Sequence, residues 1–242
     1  MRKQAMEKLL TQLTERTAKA FGDRQVAVIL YGSAAAGDYD GEFSDLNILC
    51  VLRDVTTREL RDAEPVFHWW REQRNPSPLL LSAEEVRSST DCFSIEFHDM
   101  KERRRVLAGE DVIADLQIDD SFYRAQVEHE LRAKLLRLRQ KAAGAMFDDT
   151  VLGRLLAESI STFAVLFRHA LRLSGQQGAW TKAEIITQAK EHFGIPGTAL
   201  ETVLRLRDAS VARPPASELR TVLDAYIAAI SQVIAVVDRL EK

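Results

Sequence analysis

Four residues near the N-terminal end have types and spacing suited to phosphoryl chemistry. Gly32 and Ser33 follow the apolar run Val26–Tyr31, while Asp45 and Asn47 bracket the start of a second run, Leu46–Leu52. A Gly-Ser turn at the end of a strand offers backbone N–H groups to a phosphate with little side chain in the way. Asp45 and Asn47 are two positions apart, so in a strand both side chains leave the same face. A phosphate-gripping turn beside an oxygen-bearing strand mouth is a way to hold a metal-bound polyphosphate.

The arrangement resembles the signature of the nucleotidyltransferase superfamily, the group that includes DNA polymerase beta and the aminoglycoside nucleotidyltransferases. There Gly-Ser is followed after roughly ten residues by Asp-x-Asp or Asp-x-Glu. Here the second acid is replaced by Asn47. The resemblance implies transfer of a nucleoside monophosphate, AMP from ATP, to a hydroxyl of a small molecule or protein. It assigns the triphosphate to Gly32 and Ser33, and the first Mg²⁺ ligand to Asp45. An amide oxygen can coordinate a cation but adds no negative charge, so Mg²⁺ binds more weakly than between two acids. Two readings stay open: an active enzyme, or a nucleotidyltransferase-fold module that binds nucleotide or regulates without turnover.

A third acid is expected from a neighbouring strand. Phe93–Asp99 alternates apolar and polar residues, which predicts a half-buried strand with Phe93, Ile95 and Phe97 inward. Ser94, Glu96 and His98 then face the active side, and Glu96 becomes the third metal ligand or the general base. By the same alternation Asp99 points away. Beyond it, Lys101–Arg105 is a basic run that reads as a solvated helix face or a groove lining.

The elements that must hold these residues alternate between helix and strand up to about residue 118. Lys3–Phe21 reads as an amphipathic helix stopped by Gly22, and Thr56–Arg74 as a helix with Pro65 as a kink or break. At least one of Trp69 and Trp70 belongs to the core. Leu79–Leu81 is a short strand, and Ser82 with Glu85 is a capping box opening a short helix.

From residue 119 no strand pattern remains. Helices are expected over 121–141, 152–173 and 216–240, with capping boxes at Thr181/Glu184 and Thr198/Glu201 around the stop Gly194-Ile195-Pro196. The fold class is therefore α+β: a nucleotidyltransferase-like mixed β-sheet head (1–118) and an all-α C-terminal helical bundle (119–242). Small-molecule nucleotidyltransferases carry similar helical domains that wall off the acceptor pocket. Glu158, Thr162 and His169 near one helix face are either substrate contacts or interhelical bonds. Arg124 and His129 match the Arg-x4-His spacing of HEPN ribonucleases, a loose pattern in an arginine-rich chain.

Composition narrows the classes further. With 46% hydrophobic and 29% charged residues, the chain is an ordinary globular protein. A net charge of -3 argues against a dedicated nucleic-acid binder. Cys50 and Cys92 have no metal-ligand spacing and suit a reducing cytoplasm. Both lie in apolar, strand-like segments. The N-terminus lacks a continuous apolar core, and no stretch is expected to span a membrane. The expected partners are a nucleoside triphosphate with Mg²⁺ and a small-molecule or protein acceptor.

Overall fold

The computed structural model describes residues 2–35, 37, 46–176, 178–208 and 215–240. The chain divides into two compact units, Met1–Phe122 and Tyr123–Lys242.

The first unit is built on a four-stranded mixed sheet whose strands lie in the order Leu79–Ser82, Asn47–Leu52, Gln25–Tyr31, Arg104–Gly109. Its elements are α1 (Arg2–Phe21), β1 (Gln25–Tyr31), β2 (Asn47–Leu52), α2 (Thr57–Glu72), β3 (Leu79–Ser82), α3 (Ala83–Ser88), α4 (Ser94–Glu102) and β4 (Arg104–Gly109). β1 pairs antiparallel with β2 and with β4, and β2 pairs parallel with β3. The central strands are continuous apolar runs because both faces are covered. Val28, Leu30, Ile48 and Cys50 meet α1 and α2, with fully buried Trp70 among them. On the other face, Ala27, Ile29, Leu49 and Val51 pack with Val86, Phe97 and Met100. α2 runs through Pro65 without ending.

Two expectations fail in this unit. Residues 93–99 form no strand; they enter helix α4. Six of its nine residues are buried, including Ser94, His98 and Asp99. A short helix covered on most sides has no polar stripe, so its sequence does not display a helical period. The missing strand is instead β4, and its first two residues belong to the basic run. Arg104 donates to Asp111 at 2.8 Å from both Nε and Nη2. Arg105 grips Glu7 of α1 with two bonds of 2.7 and 2.9 Å. Charged residues on an edge strand also discourage pairing with another chain.

The second unit contains α5 (Tyr123–Ala143), α6 (Asp149–Leu173), α7 (Lys182–Phe193), α8 (Gly197–Arg205) and α9 (Ala216–Arg239). Leu131, Leu135 and Leu138 of α5, Leu156, Ile160, Phe163 and Phe167 of α6, and Tyr226, Ile230 and Val233 of α9 are all buried. Phe163 meets Tyr226 edge-on at 5.7 Å, a favoured aromatic geometry. The Thr181/Glu184 capping box is present. The one expected at Thr198/Glu201 is not: α8 opens at Gly197 behind Pro196 with no side-chain cap. Glu201 pairs with Lys190 instead.

The expectation that no stretch approaches membrane-span length is also corrected. α6 and the Ser217–Arg239 part of α9 are long and apolar enough to cross a bilayer. Half of the most apolar window of α6 and 39% of that of α9 are buried inside the protein. Their apolar residues are those that fill the core of the helical unit.

Candidate active site

The site begins where β1 ends. Gly32 has φ +78°, a left-handed conformation natural to glycine. Ser33 to Ala35 then form a turn, in which the Gly37 N–H reaches the Ala34 carbonyl at 3.3 Å. No helix follows directly on Gly32-Ser33 among the described residues.

Gly32 is also needed for space. A Cβ there would lie 3.2 Å from Asn47 Nδ2. Asn47 is half-buried and is the cross-strand partner of Tyr31. Strand alternation puts Tyr31 on the same sheet face as Ala27 and Ile29, and Asn47 with Leu49 and Val51, toward α4. The turn and the mouth of β2 therefore meet at one end of the sheet.

Asn75 anchors that mouth from behind. Its buried side-chain oxygen accepts the Leu46 N–H at 3.3 Å. The preceding Arg74 has φ 63°, rare for a residue with a side chain. Asp45, the expected first ligand, lies outside the described residues.

Glu96 comes from α4, which replaces the expected strand. In a helix, Glu96 and Asp99 are three apart and share a side, so the alternation that excluded Asp99 does not apply. Burial, followed by the nearby charges of Glu96 and Asp99, pushes the Tyr31 phenol well above its ordinary pKa. Tyr31 therefore keeps its proton, with the charges of Glu96 and Asp99 nearby. His98, expected beside Glu96, is buried, with Nε2 2.6 Å from Asp120 Oδ1.

Among the described residues, no group of three or more His, Cys, Asp or Glu could hold a metal ion. The oxygen-bearing side chains associated with Tyr31 are the Asn47 amide, on its cross-strand partner, and the Glu96 and Asp99 carboxylates, whose charges act on its phenol. This all-oxygen set suits Mg²⁺ and not a thiolate-seeking metal. Tyr31, Asn75 and Asp99 were not singled out by sequence reasoning as site residues. Once 93–99 is read as a helix, the Glu96/Asp99 spacing is the signal that recovers one of them.

The other sequence candidates lie elsewhere. Trp70 is core, and Trp69 sits under the Arg16 guanidinium at 4.3 Å. Cys50 is buried in β2, whereas Cys92 is exposed in a turn and not in a strand. In the helical unit, Arg124 bonds Glu128 at 2.9 Å and the Val237 carbonyl at 3.3 Å, and His129 is exposed. Arg124 is thus engaged in bonds within the helical unit. His169 is buried, with Nδ1 2.6 Å from the Tyr123 hydroxyl, an interhelical bond. Glu158 and Thr162 line a groove between α5 and α6.

No family model matches the sequence, and no curated protein matches it. Among solved structures, 11 chains match. One is the spectinomycin adenyltransferase AAD(9) from Enterococcus faecialis, crystallised with ATP and spectinomycin. The TM-score is 0.60 at 13% identity, covering 96% of this chain and 99% of that one. The likeness thus runs through both units, well beyond the motif, and the chain has the fold of a nucleotidyltransferase with a C-terminal helical unit.

Proposed function

We propose that this protein is a nucleotidyltransferase that moves AMP from ATP to a hydroxyl of a small molecule or protein. The observation that carries the reading is the approach of Gly32 to Asn47, at the end of the sheet where Tyr31 feels the charges of Glu96 and Asp99. A whole-chain fold shared with an ATP-bound adenyltransferase supports it.

In this reading Gly32 and Ser33 hold the β and γ phosphates through backbone N–H groups and the Ser33 hydroxyl. Asp45, Asn47 and Glu96 would hold Mg²⁺, and Asp99 adds a negative charge that Asn47 does not bring. When bound, the ion neutralises phosphate charge. Glu96 accepts the proton of the acceptor hydroxyl, whose oxygen bonds to the α-phosphorus as the bond to pyrophosphate breaks. The Tyr31 phenol keeps its proton there and adds no further negative charge beside the carboxylates. A cytoplasmic setting fits the two unpaired cysteines, Cys50 and Cys92.

The test is pyrophosphate release from ATP with Mg²⁺ across a panel of hydroxylated acceptors that includes spectinomycin. Turnover that is lost in Asp45→Ala and Glu96→Gln supports the assignment. Turnover that survives both substitutions removes it.

Asn47 favours a second reading, a nucleotide-binding module without turnover. Calorimetric titration with ATP separates the two. Affinity that ignores Mg²⁺, with no pyrophosphate released, identifies the module.

A further inference from the structure

The helical unit contains a groove of about 260 Å³ between α5 and α6 that the nucleotide chemistry does not use. Its volume is just below the roughly 300–1,000 Å³ common for small-molecule sites. One wall is a stripe of α5 cations, Lys134, Arg137 and Lys141, spaced three and four residues apart. The facing wall on α6 carries Glu158 and Thr162, and the floor is apolar, with buried Leu138 and Phe163.

The charges do not cancel within the groove. Lys134 pairs with Glu130 at 3.2 Å, and Glu158 with Arg154 at 2.7 Å. Arg137 and Lys141 have no ion-pair partner among the described residues. Cations on an ordinary solvated helix face have only water beside them. These two overhang a recess with an apolar floor and a hydroxyl-bearing far wall. A ligand that matches it has an anionic group for the cations and an apolar body for Leu138 and Phe163.

We propose that this groove binds a small organic anion with an apolar face, an aryl or alkyl carboxylate, sulfonate or phosphate. The site belongs to the helical unit and holds whether or not the head turns over ATP. It selects against polycationic ligands, which meet Arg137 and Lys141 as like charges.

Fluorescence titration of the full chain with 1-anilinonaphthalene-8-sulfonate tests it, beside the neutral N-phenyl-1-naphthylamine. The expected result is one sulfonate bound per chain, about tenfold or more tighter than the neutral probe and weakened by salt. The double variant Arg137→Gln/Lys141→Gln should lose about tenfold in sulfonate affinity. Arg139→Gln, which removes an exposed cation of the same helix outside the groove, should bind as wild type does. Circular dichroism confirms that the variants are folded. No sulfonate binding, equal affinity for the two probes, or a double variant that binds like wild type would each overturn the proposal.

Discussion

Asn47 of β2 stands directly across from Tyr31 of β1, and Tyr31 in turn feels the carboxylates of Glu96 and Asp99. The amide sits where the motif leads one to expect a second strand acid, and in the proposed site α4 supplies Glu96 and Asp99. Replacing it by a carboxylate adds charge without adding bulk. Asn47→Asp should lower the Mg²⁺ concentration needed for half-maximal pyrophosphate release by roughly tenfold, because charge count sets affinity in all-oxygen sites. A metal titration of turnover measures this directly. A folded Asn47→Asp protein that requires more Mg²⁺ would show that the site is built around the amide.

Gly32 meets two demands at once, a left-handed backbone and the 3.2 Å approach to Asn47. Gly32→Ala should cost about 1–2 kcal/mol in stability from the backbone alone. It should also weaken ATP binding in calorimetry, because the new methyl displaces the Asn47 amide. Gly37 provides the comparison. It too has a left-handed φ, +89°, but a Cβ there would meet nothing within 4 Å. Gly37→Ala should carry the backbone cost and leave ATP affinity intact. Equal losses at both positions would mean that the contact with Asn47 has no functional weight.

The fold was legible wherever local chemistry decided the outcome. β1 and β2 are runs of β-branched and leucine residues between polar segments, and they form where expected. The boxes at Ser82/Glu85 and Thr181/Glu184 close on their own backbones, a four-residue event. What stayed hidden depends on distant partners. Arg105 looks like part of a solvated charge run until Glu7, 98 residues away, is seen to hold it. α4 alternates like a strand because tertiary packing covers most of its surface, so burial erased the helical period. Thr198 and Glu201 have cap spacing, but Glu201 is taken by Lys190. Misreading α4 placed Glu96 on the wrong kind of element, and it discarded Asp99 for a parity that a helix does not have.

Asn75 holds the mouth of β2 from outside the motif. Its side chain accepts the N–H of Leu46, the residue between Asp45 and Asn47. Asn75→Ala leaves that buried N–H without its acceptor and should cost about 1–3 kcal/mol, read from urea denaturation. It should also raise the Mg²⁺ requirement of turnover, since the backbone leading into Asn47 loses its anchor. Arg74→Gly is the control: it relieves a left-handed backbone and keeps Asn75. Its stability should stay within about 1 kcal/mol of wild type. If Asn75→Ala destabilises the protein while the Mg²⁺ requirement is unmoved, Asn75 is a structural residue only.

The pH dependence of stability follows from Glu59 at the start of α2. Its carboxylate accepts from the Thr56 hydroxyl at 2.5 Å and from Arg24 at 2.5 Å, while Arg24 also holds Asp62 at 2.6 Å. The Thr56 hydroxyl and then the Arg24 guanidinium hold the Glu59 carboxyl down to about 2, from an ordinary 4.5. A carboxylate more acidic in the folded than in the unfolded protein stabilises the fold wherever it is ionised in both states. The contribution is complete above about 4.5 and fades as the pH falls from there toward about 2. Glu59→Gln should therefore be less stable than wild type at neutral pH, with the gap narrowing below pH 4.5 and closing near pH 2. Urea midpoints of both proteins across that interval measure the gap. A difference that stays constant with pH would mean that the Glu59→Gln variant fails through packing or capping geometry, and that the anion pairing with Arg24 contributes nothing.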